Sequence, residues 1–311
     1  MSVGRDLLWP TDWQTYELLD SGDGMRLERF GDLTLARPEP QALWRRRLPD
    51  GPWRAADATF DGESDRWRRR KGVRDPWQMR HGDLRFELRL TPFRHTGLFP
   101  EQAVNWQWMH DLIVAARRPI RLLNLFAYTG LATLAAARAG AEVTHVDASK
   151  PAMAWARQNQ TLSNLEAAPI RWLLDDALKF VQREARRGNR YDGIMLDPPA
   201  YGRGPKGELW RFSEGFPTLM EALRPLLSDR PLLLLVNAYS ITESPLVLHH
   251  LVDQLMANHG GTVSSGELAL RESGPDGRLL PTSLFARWSG TATRDGNAER
   301  RTQNAERAHS A

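Results

Sequence analysis

Acidic residues recur at the ends of short apolar runs, where a carboxylate can be held out toward a ligand. Asp147 closes the run at 141–146, Asp175 and Asp176 follow 170–174, and Asp197 follows 191–196. Asp197 opens Asp197-Pro198-Pro199-Ala200-Tyr201, the most specific local signal in the chain. Each proline fixes its own φ and restricts the residue before it, so this carboxylate is held rigidly with an aromatic ring close behind. A merely structural Asp-Pro-Pro turn is the plainer alternative. Asn124-Leu125-Phe126-Ala127-Tyr128-Thr129-Gly130 follows a fourth apolar run. Its small residue and glycine let backbone approach a ligand closely, and the amides of a following helix face whatever sits there. An ordinary strand-to-helix turn reads the same way. The segment is not the G-x-G-x-x-G fingerprint of dinucleotide binders, which argues against a nicotinamide-dependent dehydrogenase. A carboxylate at Asp147 is placed to accept both hydroxyls of a ribose, or else to cap the next helix, a role Ser149 can fill instead. Of Asp175 and Asp176, one suits an adenine amine and the other an ordinary cap; Asp176 is taken as the ligand and Asp175 as its neighbour.

Residues so placed demand a framework of alternating strands and helices. Helical patterns at 100–116, 131–139, 151–164, 177–187, 212–227 and 245–259 interleave with strands at 121–126, 141–146, 170–174, 191–196 and 231–237. The alternation predicts an α/β fold: a Rossmann-like, doubly wound, mostly parallel sheet. Two last strands, 263–272 and 283–288, fit an antiparallel edge. Such sheets bind ligands at the carboxyl ends of their strands, where strand order reverses. Residues 12–92 read differently, as short runs at 16–20, 26–30, 33–37, 53–60 and 84–90 separated by turn signals, several alternating with period two. They predict a small antiparallel barrel or sandwich. The expected organisation is a β-rich N-terminal domain at 1–92, an α/β domain at 93–289 and a disordered tail at 290–311.

Composition narrows the class further. A chain of 311 residues with 41% hydrophobic and 26% charged residues can bury a large core. Its longest apolar run, 232–236, is far too short to span a bilayer, and residues 1–10 lack the pattern of a secretory leader. With no cysteine, this chain has no disulfide framework, thiolate metal site or thiol nucleophile. These features together predict a cytoplasmic protein. The histidines show no ligand spacing, and the adjacent His249 and His250 point apart on a helix, so no metal is expected. Positive charge is clustered locally, at Arg45-Arg46-Arg47 and at Arg66, Arg68-Arg69-Arg70-Lys71 and Arg74. Such clusters fit phosphate contacts on nucleic acid, although a solvated loop is the plainer reading. The stretch 202–207, with Arg203 and Lys206, reads as a mobile basic lid touching phosphates, or as a plain glycine-rich loop.

The run from Leu122 to Gly130, with Asp147, Asp176 and Asp197-Pro198-Pro199, resembles class I S-adenosylmethionine-dependent methyltransferases. More narrowly it is similar to the large-subunit ribosomal-RNA methyltransferases of the cytosine-C5 and guanine-N7 kind. In those, a Thr-Gly motif ending in Glu-Gln or Asp-Gln precedes the Phe-x-Tyr-Thr-Gly segment. Here it reads Thr96-Gly97-Leu98-Phe99-Pro100-Glu101-Gln102. The resemblance covers about residues 92–288 and does not extend clearly to the N-terminal part. It implies that Thr96, Phe99 and Gln102 help enclose S-adenosylmethionine, alongside Asn124, Phe126, Ala127, Tyr128, Thr129 and Gly130. It further implies that Asp147 holds the ribose and Asp176, beside Asp175, the adenine. Asp197, Pro198, Pro199 and Tyr201 then face the methyl acceptor. The C5 enzymes attack their base with a thiolate from a Ser-Cys-Ser segment after the fifth strand. This chain reads Val236-Asn237-Ala238-Tyr239-Ser240 there and has no cysteine, which excludes that covalent route. What remains is direct transfer to a nitrogen. Asp197 and the Pro198 carbonyl orient the acceptor, and Tyr201 stacks on a flipped or single-stranded base. The expected substrate is RNA, ribosomal or transfer. A small-molecule or protein acceptor is the alternative, because fold does not reveal substrate. A non-catalytic RNA-binding or assembly factor with a vestigial pocket is a third reading, against which the intact Asp197-Pro198-Pro199 argues.

Overall fold

The structure, a computed structural model, describes residues 5–203 and 209–290. Its first strand, β1 (Arg5–Leu8), is followed by β2 (Tyr16–Gly22), β3 (Met25–Phe30), β4 (Leu33–Pro38), the short helix α1 (Asp50–Arg54), β5 (Ala58–Asp61), β6 (Arg66–Arg69), β7 (Trp77–His81) and β8 (Leu84–Leu88). Strands β2 to β6 form one sheet in chain order, and β7 with β8 makes a separate hairpin. The expected run at 53–60 is divided. Gly51-Pro52 begins a helical turn, and only its last residues continue as a strand. That inserted crossover brings β5 back parallel to β4, so the sheet is not wholly antiparallel.

The remainder alternates as expected: α2 (Ala103–Ala116), β9 (Arg121–Leu125), α3 (Leu131–Arg138), β10 (Glu142–Asp147), α4 (Lys150–Leu162), β11 (Ile170–Leu174), α5 (Ala177–Arg186) and β12 (Gly193–Leu196). A small hairpin, β13 (Tyr201–Arg203) and β14 (Leu209–Arg211), precedes α6 (Phe212–Leu223), β15 (Leu233–Ala238), α7 (Pro245–Met256), β16 (Gly261–Arg271) and β17 (Leu279–Gly290). The large sheet runs β1-β16-β17-β15-β12-β9-β10-β11. Strands β15, β12, β9, β10 and β11 are parallel, and β17 is antiparallel to both its neighbours. Helices cover both faces of the central strands, which explains why β12 and β15 are buried at every residue instead of alternating. Strand order reverses between β9 and β12, the place where this architecture opens a crevice.

The N-terminal region is less separate than its sequence suggests. β1 lies within the stretch expected to form the β-rich domain, yet it extends the outer edge of the large sheet, pairing Arg5–Leu8 with Ser265–Leu268. A glycine allows this approach, since a Cβ on Gly266 would lie 1.8 Å from the Asp6 carbonyl oxygen. Tyr16, Phe30 and Phe86 share one hydrophobic cluster with Trp106, Met109 and Leu134. A polar clamp joins the two parts: Arg278 donates to Asp20 at 3.0 Å and to Glu272 at 2.8 Å, and the Ser21 hydroxyl donates to Glu272 at 2.5 Å. Beside it Glu28 is buried against Arg37 at 2.5 Å and Arg26 at 3.3 Å. Burial works against the Glu28 charge, but these two guanidiniums outweigh it and hold the carboxyl below its usual range. The last strand continues to Gly290, and the tail expected beyond it, 291–311, lies outside the described residues.

Candidate active site at the strand tips

A cavity of about 1470 Å³ opens above the carboxyl ends of β9 to β12. One wall is the loop after β9, in which Phe126 and Tyr128 adopt left-handed backbone (φ 56° and 48°) alongside Gly130 (φ 81°). Such conformations at residues with a Cβ cost on the order of 1 kcal/mol or more each and need outside support. Asp147 supplies it. Its carboxylate accepts the Tyr128 amide at 2.8 Å and the Ser149 amide at 2.8 Å. The capping alternative for Asp147 is thereby decided, because Ser149 caps α4 by accepting from the Ala152 amide. Burial raises the Asp147 carboxyl above its usual range, and the two backbone amides oppose that rise.

Of the residues singled out in the sequence, Phe99, Phe126, Tyr128, Asp147, Asp175, Asp176, Asp197, Pro198, Pro199 and Tyr201 line this cavity. The others do not. Asn124 is 4% exposed and turns beneath the loop to donate to the Thr133 hydroxyl at 2.9 Å. Thr129 donates to the Gly97 carbonyl at 2.7 Å, and Thr96 is fully buried. Gly130 packs on α4, where a Cβ would come within 2.9 Å of the Ala156 methyl. Ala127 and Gln102 face a smaller pocket behind the loop, and Gln102 donates to the Tyr239 hydroxyl at 2.9 Å. Asn124, Ala127, Thr129 and Gln102 all border that smaller pocket, so these residues back the wall of the large cavity instead of forming it. Asp176 caps α5 by accepting the Lys179 amide at 2.9 Å, while Asp175 accepts the Asp176 amide and pairs with Arg183. Capping and facing the cavity thus coincide in Asp176.

At the tip of β12, Asp197 has the Asn237 amide as a donor at 3.3 Å. Burial pushes its carboxyl up to about 7; the Asn237 hydrogen bond works against this and the nearby Glu101 charge adds to it. Pro199 offers its carbonyl to the Trp210 indole at 2.7 Å, so the β13–β14 hairpin is tied to the diproline corner. Trp210 in turn packs on Phe126, with ring centroids 5.2 Å apart. Tyr201 is 57% exposed at the cavity mouth and Phe93 is 75% exposed on the same lining. Sequence reasoning missed Glu101, Trp155, Trp210, Tyr239, Phe93 and His95, all of which line the cavity. Glu101 stood within the Thr96–Gln102 motif without a role; the others carried no local signal. The basic cluster is partly a strand and not a loop. On β6, Arg68 pairs with Asp61 and Arg69 with Asp75, and Arg70 and Lys71 are exposed beyond it. Lys206 lies outside the described residues, and Arg203 is described only in its backbone as part of β13.

Residues 64–242 match the S-adenosylmethionine-dependent methyltransferase family profile. The chain belongs to the S-adenosylmethionine-dependent methyltransferase family. An S-adenosylmethionine-dependent methyltransferase from Agrobacterium tumefaciens is 48% identical, with a TM-score of 0.88 over 91% of this chain and 93% of that one. A putative methyltransferase from Streptococcus mutans shares the fold at 17% identity, with a TM-score of 0.68 over 89% of this chain and 76% of that one. Among curated relatives, a ribosomal RNA large subunit methyltransferase K/L of Shewanella sp. (strain ANA-3) is 34% identical over 126 residues, 40% of this chain. The match spans only 17% of that much longer relative. S-adenosylmethionine is accordingly the cofactor of this methyltransferase. Among the described residues no helix is long and apolar enough to cross a membrane.

Proposed function

We propose that this methyltransferase methylates a base nitrogen of RNA by direct transfer, and that the β10–β11 side of the cavity holds the cofactor. The donor set there suits S-adenosylmethionine. Asp147 keeps unfilled lone pairs for a ribose after accepting its two amides, Asp176 borders the adenine position, and Ala148, Ala177 and Phe126 supply apolar walls. When bound, the cofactor supplies an electrophilic methyl on a sulfonium, so the protein's work is mainly placement. Asp197 and the Pro198 carbonyl orient the acceptor, and the diproline corner limits their movement. Tyr201 stacks on the acceptor base at the cavity mouth. Arg68 to Lys71 on the N-terminal module contribute phosphate contacts, as do Arg203 and Lys206. A cytoplasmic location accords with an RNA substrate.

The observation that carries this reading is the exposed Tyr201 ring set directly behind the Asp197-Pro198-Pro199 corner on the lining of the cavity. The sequence similarity to enzymes named for ribosomal RNA points the same way. No thiolate is available from this chain, so the transfer is direct. Mass spectrometry of nucleosides from total RNA, with and without the gene, is expected to show one methylated base lost on deletion. Asp197→Ala is expected to abolish that product while binding of S-adenosylhomocysteine stays within about threefold. An unchanged nucleoside profile, together with methylation of a protein or metabolite, would overturn the RNA assignment.

A further inference from the structure

At about 1470 Å³ the cavity exceeds the roughly 300–1,000 Å³ of a pocket for one drug-sized ligand. The part away from β10 and β11 is walled by Arg26, Glu39 and Gln41 of the N-terminal module and by Arg94 and His95, which follow it in the chain. His95 stays neutral there, since burial and the neighbouring guanidiniums lower it to about 4. Within this half lies a carboxylate that the proposed function does not yet use. Glu101 is 2% exposed, on the 3-10 turn Pro100–Gln102 that precedes α2, and its Oε2 has no hydrogen-bond partner. A buried carboxylate with unfilled acceptor sites costs several kcal/mol, and folds keep one mainly where it is used.

The groups that face Glu101 come from four places. Arg26 on β3 and Arg37 on β4 favour its charge, but both guanidiniums are already engaged by Glu28. Asp197 at the tip of β12 is itself raised by the Glu101 charge, and the Tyr239 hydroxyl after β15 lies beside Glu101 and favours its charge. Gln102 donates to that hydroxyl, which leaves the phenol proton for an acceptor such as Glu101. On the packed elements β16 and α2, Glu267, Arg271 and Asp111 are exposed, and His110 is half-buried further along α2. Burial therefore dominates, and the Glu101 carboxyl lies above its usual range.

We propose that Glu101 accepts the proton that the methyl acceptor loses, which restricts the acceptor to a group that has one: an exocyclic amine, a lactam N–H or a hydroxyl. The acceptor's lone pair forms the new bond to the methyl carbon, the carbon–sulfur pair returns to sulfur, and the acceptor proton ends on the Glu101 carboxylate. A ring nitrogen that becomes cationic on methylation, such as guanine N7 or adenine N1, has no proton to give and needs no such group. The inference rests on the reading of the Asp197 corner as the acceptor site.

Two measurements on the full chain test it. Calorimetry with S-adenosylmethionine and S-adenosylhomocysteine needs no acceptor. An ionised Glu101 favours the cationic donor over its neutral product, so that preference is expected to rise with pH, by about tenfold once Glu101 has lost its proton. Glu101→Gln is expected to flatten the rise, and Glu101→Asp to restore it. Asp197→Asn removes the neighbouring acid's share and should keep the part of the rise that Glu101→Gln abolishes. Thermal melting of each variant checks that the protein is folded. A wild-type profile in Glu101→Gln, or its loss only in Asp197→Asn, would overturn the assignment. In the nucleoside analysis, an amine-, lactam- or hydroxyl-methylated product supports the proposal, whereas a cationic base refutes it. If RNA proves not to be the substrate, the nucleosides stay unchanged and the calorimetric arm still decides the role of Glu101.

Discussion

At the tip of β10 the Asp147 carboxylate takes two backbone amides, each at 2.8 Å, whereas at the tip of β12 Asp197 has one side-chain amide at 3.3 Å. Burial raises both acids, yet the amides oppose it at Asp147, and at Asp197 the neighbouring Glu101 compounds it to about 7. The difference separates two uses of the same residue type on one sheet. Asp147 holds a strained loop in shape and offers what remains of its lone pairs to a ligand. Asp197 and Glu101 are left short of donors, so their charge state is easily changed. Rigidity is concentrated on one side of the cavity and titratability on the other.

The largest expected effect comes from the rigid side. In Gly97→Ala the new Cβ would lie 2.3 Å from the Trp155 ring, at a backbone φ of 93°. Overpacking and strain together should destabilise the fold by about 3 kcal/mol or more, read as a lower urea midpoint. A shift under about 1 kcal/mol would mean that this wall yields. Asp147→Ala should weaken S-adenosylhomocysteine binding by roughly 30- to 100-fold, or ~2–3 kcal/mol, because the loop loses its anchor and the ligand a charged acceptor. Equal losses of binding in Asp147→Ala and Asp197→Ala would erase the contrast between the two tips.

On the titratable side the sign is fixed by linkage. Asp197 has a folded value near 7 against an ordinary 3.8, so between these the native state binds the extra proton. Stability must then fall as pH rises through that window, and the contribution of the bound proton is fully lost above about 7. Asp197→Asn removes the penalty. Its stability should gain about 2 kcal/mol relative to wild type between pH 4 and 8, in denaturant titrations at both pH values. The smallest effect is expected at β6. Arg68 and Arg69 pair with Asp61 and Asp75 in exposed positions. Replacing both by alanine should change stability by less than about 1 kcal/mol. RNA retention on the same variant should lose part of its salt dependence; an unchanged salt slope would remove β6 from the RNA surface.

The alternation of strands and helices from β9 to β17, and the carboxylates at the tips of β10, β11 and β12, were legible in the sequence. Period, length and turn chemistry are local properties, and an acid that ends an apolar run in a parallel sheet has one place to go. Tertiary structure decided which motif residues meet the cavity. Asn124 and Thr129 sit in the same segment as Phe126 and Tyr128, yet packing against α3 and Gly97 turns them away. It also decided the partnership of Glu101, Asp197 and Tyr239, and the wall that the N-terminal module lends to the site. Those contacts join residues far apart in the chain, and the crossing of β1 to the far edge of the large sheet is of the same kind. No residue's own propensity encodes such a meeting, because its energy comes from burying distant segments against each other.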